Sequence, residues 1–171
     1  MDRLTAVSAS LLLSASAACG VAPPSGGRIE ARWTGVRTGH ASPPATATWC
    51  ASARRLVVMG THGDTAIGFT VYPVGDTIGG IASVLDSTAA DTVRPRAAAA
   101  LRWVDSVSVP AFAGTSGTVR LARGGARLAG SFDVTLRMVN VTRVGPGVST
   151  GSVHFIGRLI AVPVRNGGCN F

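Results

Sequence analysis

The segment Gly117-Thr118-Val119-Arg120-Leu121-Ala122 is followed by Gly124-Gly125 and then by Arg127-Leu128-Ala129-Gly130-Ser131-Phe132-Asp133-Val134-Thr135-Leu136-Arg137-Met138. In the second arm Leu128, Phe132, Val134, Leu136 and Met138 share one parity of the chain, while Arg127, Ser131, Asp133, Thr135 and Arg137 fill the gaps. A helix gathers Leu128, Phe132 and Leu136 on one face but sends Val134 and Met138 to the far side. A half-buried strand keeps all five together. Paired glycines tolerate the positive φ that tight turns require, so Gly124-Gly125 joins the two arms into a β-hairpin. Its inward face is Leu128, Phe132, Val134, Leu136 and Met138; Arg120, Arg127 and Arg137 point outward.

The same period extends on both sides. Arg28 to Val36 alternates Ile29, Ala31 and Trp33 against Arg28, Glu30 and Arg32, which is a first strand. Thr38 to Pro44 holds a Gly and two prolines and reads as a loop, with His40 solvated. Thr46 to Cys50 and Arg55 to Met59 form a hairpin; Thr61 to Thr65 is a turn; Ala66 to Tyr72 is a strand ended by Pro73. Val74 to Ala90 is a weakly specified connection containing the apolar run Ile81 to Leu85. Ala97 to Trp103 sets the helix propensity of alanine against β-like neighbours and prolines at 95 and 110, and reads as strand. Val104 to Val109 alternates again, and Val139 to Ser149 is loop. The last strand runs from Gly151 to Val164, with a bulge or bend expected at Gly157 and His154 on the outer face. These segments predict an all-β fold, an antiparallel meander of about eight to ten strands closing as a sandwich or an up-and-down barrel.

Of the 171 residues, 46% are apolar and 14% charged, which excludes an ordinary disordered chain and allows one domain with a core. All 16 basic residues are Arg, in a chain rich in Ala, Gly and Val, a pattern expected of a GC-rich genome. The net charge of +8 favours an anionic lipid or acidic glycan surface as partner. Nucleic acid is not expected, because the arginines are scattered singly and no basic run is interleaved with aromatics.

Met1-Asp2-Arg3 precedes an uncharged stretch from Leu4 to Ala18, too short for a membrane span and of the length of a secretory signal. It ends in Ser14-Ala15-Ser16-Ala17-Ala18-Cys19-Gly20, which resembles the lipobox of bacterial lipoproteins. That resemblance implies lipidation at Cys19, which becomes the new N-terminus. The alternative is ordinary cleavage after Ser16-Ala17-Ala18 to give a soluble periplasmic or secreted protein. Residues 1–18 are thus a signal peptide, 19–27 the lipid-attachment Cys and a Pro/Gly/Ser-rich tether, and 28–171 a single β domain. With Cys19 acylated, the other two cysteines, Cys50 and Cys169, remain as a disulfide pair in an oxidising compartment. Zinc is disfavoured, since neither has a second Cys or His at ligand spacing.

Little else carries chemistry. His62 and Asp64 are competent for metal or acid–base work, but Gly63-Asp64-Thr65 is ordinary turn sequence and no third group is near. Gly114-Thr115-Ser116-Gly117-Thr118 lacks the last glycine of a nucleophile elbow and reads as a turn. Asn140-Val141-Thr142 is a sequon of no expected use in a bacterial protein. No catalytic or metal-binding residue and no cofactor is expected. The ordered set Trp49-Cys50, Gly63-Asp64-Thr65, Tyr72-Pro73, Gly117 to Leu121, Gly130-Ser131-Phe132 and Cys169 resembles small, uncharacterised exported bacterial proteins with lipoprotein-type leaders. The expectation is a lipid-anchored cell-envelope protein, a non-enzymatic structural or interaction module with an unidentified protein partner. A lipocalin-like barrel for a small apolar ligand is the first alternative and a secreted hydrolase the second.

Overall fold

The computed structural model describes residues 26–86, 93–104, 109–140 and 151–167. Every element is a strand: β1 (Arg28–Gly35), β2 (Gly39–Ala41), β3 (Ala45–Cys50), β4 (Arg55–His62), β5 (Thr65–Tyr72), β6 (Gly80–Val84), β7 (Arg96–Trp103), β8 (Ala111–Gly124), β9 (Arg127–Asn140) and β10 (Ser152–Asn166). They form one ten-stranded sheet in the order β2-β1-β10-β3-β4-β5-β7-β6-β8-β9, and a further β10–β9 ladder closes it into a barrel-like ring. The all-β class read from the sequence holds. The ladders are antiparallel apart from two short parallel contacts, β10 with β3 and β6 with β7.

The opening hairpin is the longest ladder, β8 on β9, and its turn is one residue later than the Gly-Gly pair: Gly124 pairs with Arg127, and Gly125, at φ +59°, takes the left-handed position beside Ala126. Leu128, Phe132, Val134 and Leu136 are buried, with Met138 packed at the edge of the core. β10 lies along β9 on one side and along β1, over eight residues, on the other, so the first and last strands seal the ring.

Alternation places the core inside. Ile29, Ala31 and Trp33 on β1 are buried, as are Ala97, Ala99, Leu101 and Trp103 on β7, confirming the alanine run as strand. Six rings form a continuous stack through the interior: Phe132 and Phe69 at 4.7 Å, Phe132 and Phe155 at 4.7 Å, Phe155 and Trp33 at 6.5 Å, Trp33 and Trp103 at 5.9 Å, and Trp103 and Phe112 at 4.8 Å. Such offset and tilted contacts add to burial. Among the described residues no polar or charged residue is buried.

Several local expectations are corrected. Residues 39–41 are not loop but β2, because the turn at 35–38 brings Gly39 and Ala41 opposite Trp33 and Ala31. Ile81 to Val84 lie in β6, wedged where β7 and β8 splay apart, a placement created by tertiary pairing and not by local period. Gly114 to Thr118 is not a turn but the middle of β8. The ladder shifts register between Gly114 and Ser116, and Gly117, at φ +118°, carries the chain through that bulge. Gly157 is in regular register between Phe132 and Ala31; the bulge of β10 lies beyond it, between Leu159 and Val162, where Ala161 has φ +48°. The segments 105–108, 141–150 and 168–171 lie outside the described residues, so most of the Val104 to Val109 alternation, the sequon beyond Asn140 and Cys169 do too.

Candidate functional site

The outward residues of β9, β10 and β1 stand side by side because the register is fixed by the buried row beneath them. Across the sheet, Ser131, Arg158 and Glu30 form one rung and Asp133, Ile156 and Arg32 the next, with His40 of β2 beyond Arg32. These residues surround an open depression of about 710 Å³ on the outside of the ring. Ser131 is short where its neighbours are long, so the floor is formed by the half-buried Ile156 and by backbone at Gly157.

The rim of this depression is ion-paired. Glu30 accepts from Arg158 Nε at 2.7 Å through one carboxylate oxygen and from Arg28 Nε at 2.9 Å through the other. The hydrogen bonds from Arg158 and then Arg28 hold the Glu30 carboxyl below its usual range. His154 Nε2 lies 2.7 Å from Asp133 Oδ1 across the β9–β10 ladder. This pair could move a proton, but Ser131 lies on the other side of Asp133 along β9, so Ser131, Asp133 and His154 do not align as nucleophile, base and orienter. What the arrangement offers is a rigid, mixed-charge face with an apolar centre. Sequence period placed His154 and Asp133 outward; their pairing, 21 residues apart, depends on register and left no local signal.

His62 and Asp64 fall at one end of the ring. His62 closes β4, and the Asp64 carbonyl accepts from Val104 N at 2.8 Å. They edge a second hollow, with Arg37, Gly39 and His40 opposite and the stacked Trp33–Trp103 pair behind. Arg37 lies 5.6 Å over the Trp103 ring. Among the described residues no three His, Cys, Asp or Glu side chains are grouped to hold a metal.

Of the remaining sequence-predicted sites, Cys50 is fully buried at the end of β3, while Cys19 and Cys169 lie outside the described residues. Gly167 N donates to the Trp49 carbonyl at 3.1 Å, which brings the C-terminal chain beside Cys50. Comparison with protein-family models, with curated proteins and with solved structures finds no match in any of the three.

Proposed function

We propose that the protein is a lipid-anchored cell-envelope module of the small exported bacterial type, tethered through Cys19, which acts by surface recognition and not by catalysis. The observation that carries this is the outer face of β1, β10 and β9: charges held in fixed pairs around Ile156, on strands locked by the ring. Apolar centres inside polar rims are the composition of recognition surfaces. The lipobox-like leader and short tether support the anchor. The aromatic stack occupies the space that an enclosed apolar ligand would need, and this weighs against the lipocalin-like alternative.

The anchor is tested by fractionation. The native chain should sediment with membranes and incorporate labelled fatty acid, and Cys19→Ser should do neither; a native chain recovered wholly in the soluble fraction removes the anchor. For the face, a photo-reactive residue at position 156 in intact cells should give a discrete cross-linked product that the same residue at position 98, on the outer face of β7 across the ring, does not. No product from either site removes the recognition role.

A Cys50–Cys169 disulfide belongs to the same reading. Gly167 is held against Trp49, and two further residues span up to about 7 Å, enough to reach the Cα separation a disulfide needs. Closing so long a loop is worth about 4 to 5 kcal/mol in the chain-entropy model. Non-reducing peptide mapping should recover the two cysteines in one linked fragment; two free thiols in oxidised material would refute the bridge.

A further inference from the structure

Charge is distributed unequally between the two ends of the ring. At one end the ladders bring together the β3–β4 turn, the start of β7, the β8–β9 turn and the end of β10: Arg55 pairs with Cys50, Tyr72 with Arg96, Gly124 with Arg127, and Arg165 with Thr48. Arg54 and Arg55 lie on the first of these segments. Arg94 and Arg96 stack on Tyr72 at 5.3 and 4.4 Å. Arg123 and Arg127 flank the Gly125 turn, and Arg165 closes the circle. Against these seven arginines the rim holds one described carboxylate, Asp76, 3.8 Å from Arg54. Among the described residues the opposite rim is near balance, with Arg37, Arg102 and Arg137 facing Asp64 and Asp86, the last paired to Arg137 at 3.3 Å.

The chain enters the domain on the basic side. β1 runs antiparallel to β10 from Arg28, opposite Ile160, to Gly35, opposite Val153, so Gly27 and Gly26, which precede it, lie toward the C-terminal, basic end of β10. Gly27 fixes this path: a Cβ there would collide with the backbone of Val162 and Ala161. Gly26 and Gly27 then share a hollow with Pro163 and Arg165. From Cys19 to Gly26 a fully extended chain covers at most about 25 Å.

We infer that the arginine rim is a docking surface for the anionic phospholipid headgroups of the membrane in which the chain is anchored, a step that rests on the anchor proposed above. A lipid at Cys19 and a tether leaving on the basic side hold that rim close to the bilayer. Guanidinium groups match phosphate oxygens with paired donors, as a lysine ammonium cannot. The attraction acts within about 10 Å of the surface. Docking in this orientation turns the β1–β10–β9 face sideways, parallel to the bilayer normal and open to a partner.

The test uses the full chain carrying Cys19→Ser, so that binding does not depend on acylation. It should co-sediment with vesicles of phosphatidylglycerol and phosphatidylcholine in equal parts at least about tenfold better than with phosphatidylcholine alone, and lose that preference in 0.5 M salt. Replacing Arg123 and Arg165 by Gln should weaken binding about tenfold, whereas the charge-matched pair Arg102→Gln and Arg137→Gln should leave it unchanged. Equal binding to both vesicle types, equal losses from both rims, or retention on an acidic polysaccharide without vesicle binding would overturn the proposal. The two readings fail separately: vesicle preference without acylation in cells defeats the anchor alone, and acylation without vesicle preference defeats the rim alone.

Discussion

Gly157 sits where three strands lie side by side, opposite Phe132 on β9 and Ala31 on β1. A Cβ there would strike the Glu30 carbonyl and lie 2.6 Å from the Phe132 ring and 2.9 Å from the Ala31 Cα. Two of these neighbours are backbone and cannot turn away, so the cost falls on the ladder itself. Gly157→Ala should therefore destabilise the domain by about 3 kcal/mol, at the upper end of ordinary overpacking, read as the shift of a urea or thermal midpoint. Gly124→Ala is the internal control, since nothing lies within 4 Å of its Cβ position and its φ is not in the left-handed range; it should change stability by less than about 0.5 kcal/mol. Equal effects at the two positions would show that propensity, not close approach, fixes Gly157. Sequence marked this glycine as special but assigned it a bulge, because a lone glycine in a strand signals either a bulge or a close approach. The two are told apart only by what lies across the ladder.

At the scale of the element, what was legible depended on whether a strand's own residues or its neighbours specify it. β1, β9 and β10 announce themselves by period two, and their buried rows are the ones that the alternation marks. β7 was the harder case, since four alanines in succession favour helix by propensity; burial nevertheless alternates along it, with Ala97 and Ala99 inward and Ala98 and Ala100 outward. Ala99→Glu places an unpaired carboxylate against the core and should cost more than about 3 kcal/mol or abolish folding, whereas Ala98→Glu should be tolerated. A helix would place both positions at comparable exposure, so similar midpoints for the two variants would argue against the strand. β2 and β6 were illegible for the same reason as the His154–Asp133 pair. Three residues cannot display a period, and β6 forms because β7 and β8 diverge and leave their edges to be satisfied. The candidate site was visible residue by residue as outward polar positions, while its assembly awaited the register between strands distant in sequence.

For the whole molecule the decisive contact is between the first and the last of the ten strands. β10 pairs with β1 from Val153 to Leu159 and Ile160, and with β9 on its other edge. A chain ending at residue 150 keeps nine strands yet exposes Ile29, Leu128, Phe132 and Val134 along the gap. It should show no cooperative thermal transition and should bind a hydrophobic dye; a sharp melt in such a fragment would mean that the ring is dispensable. Contacts this distant in sequence also make folding slow relative to a helical domain of equal size.

The seam between β1 and β10 thus has a consequence for quality control in the cell. The strand that completes the ring is the last of the ten to be synthesised, so no fragment that stops short of β10 can hide its apolar face. Products that terminate or are clipped before β10 remain open substrates for proteases, and folding itself acts as a test that translation has passed through β10.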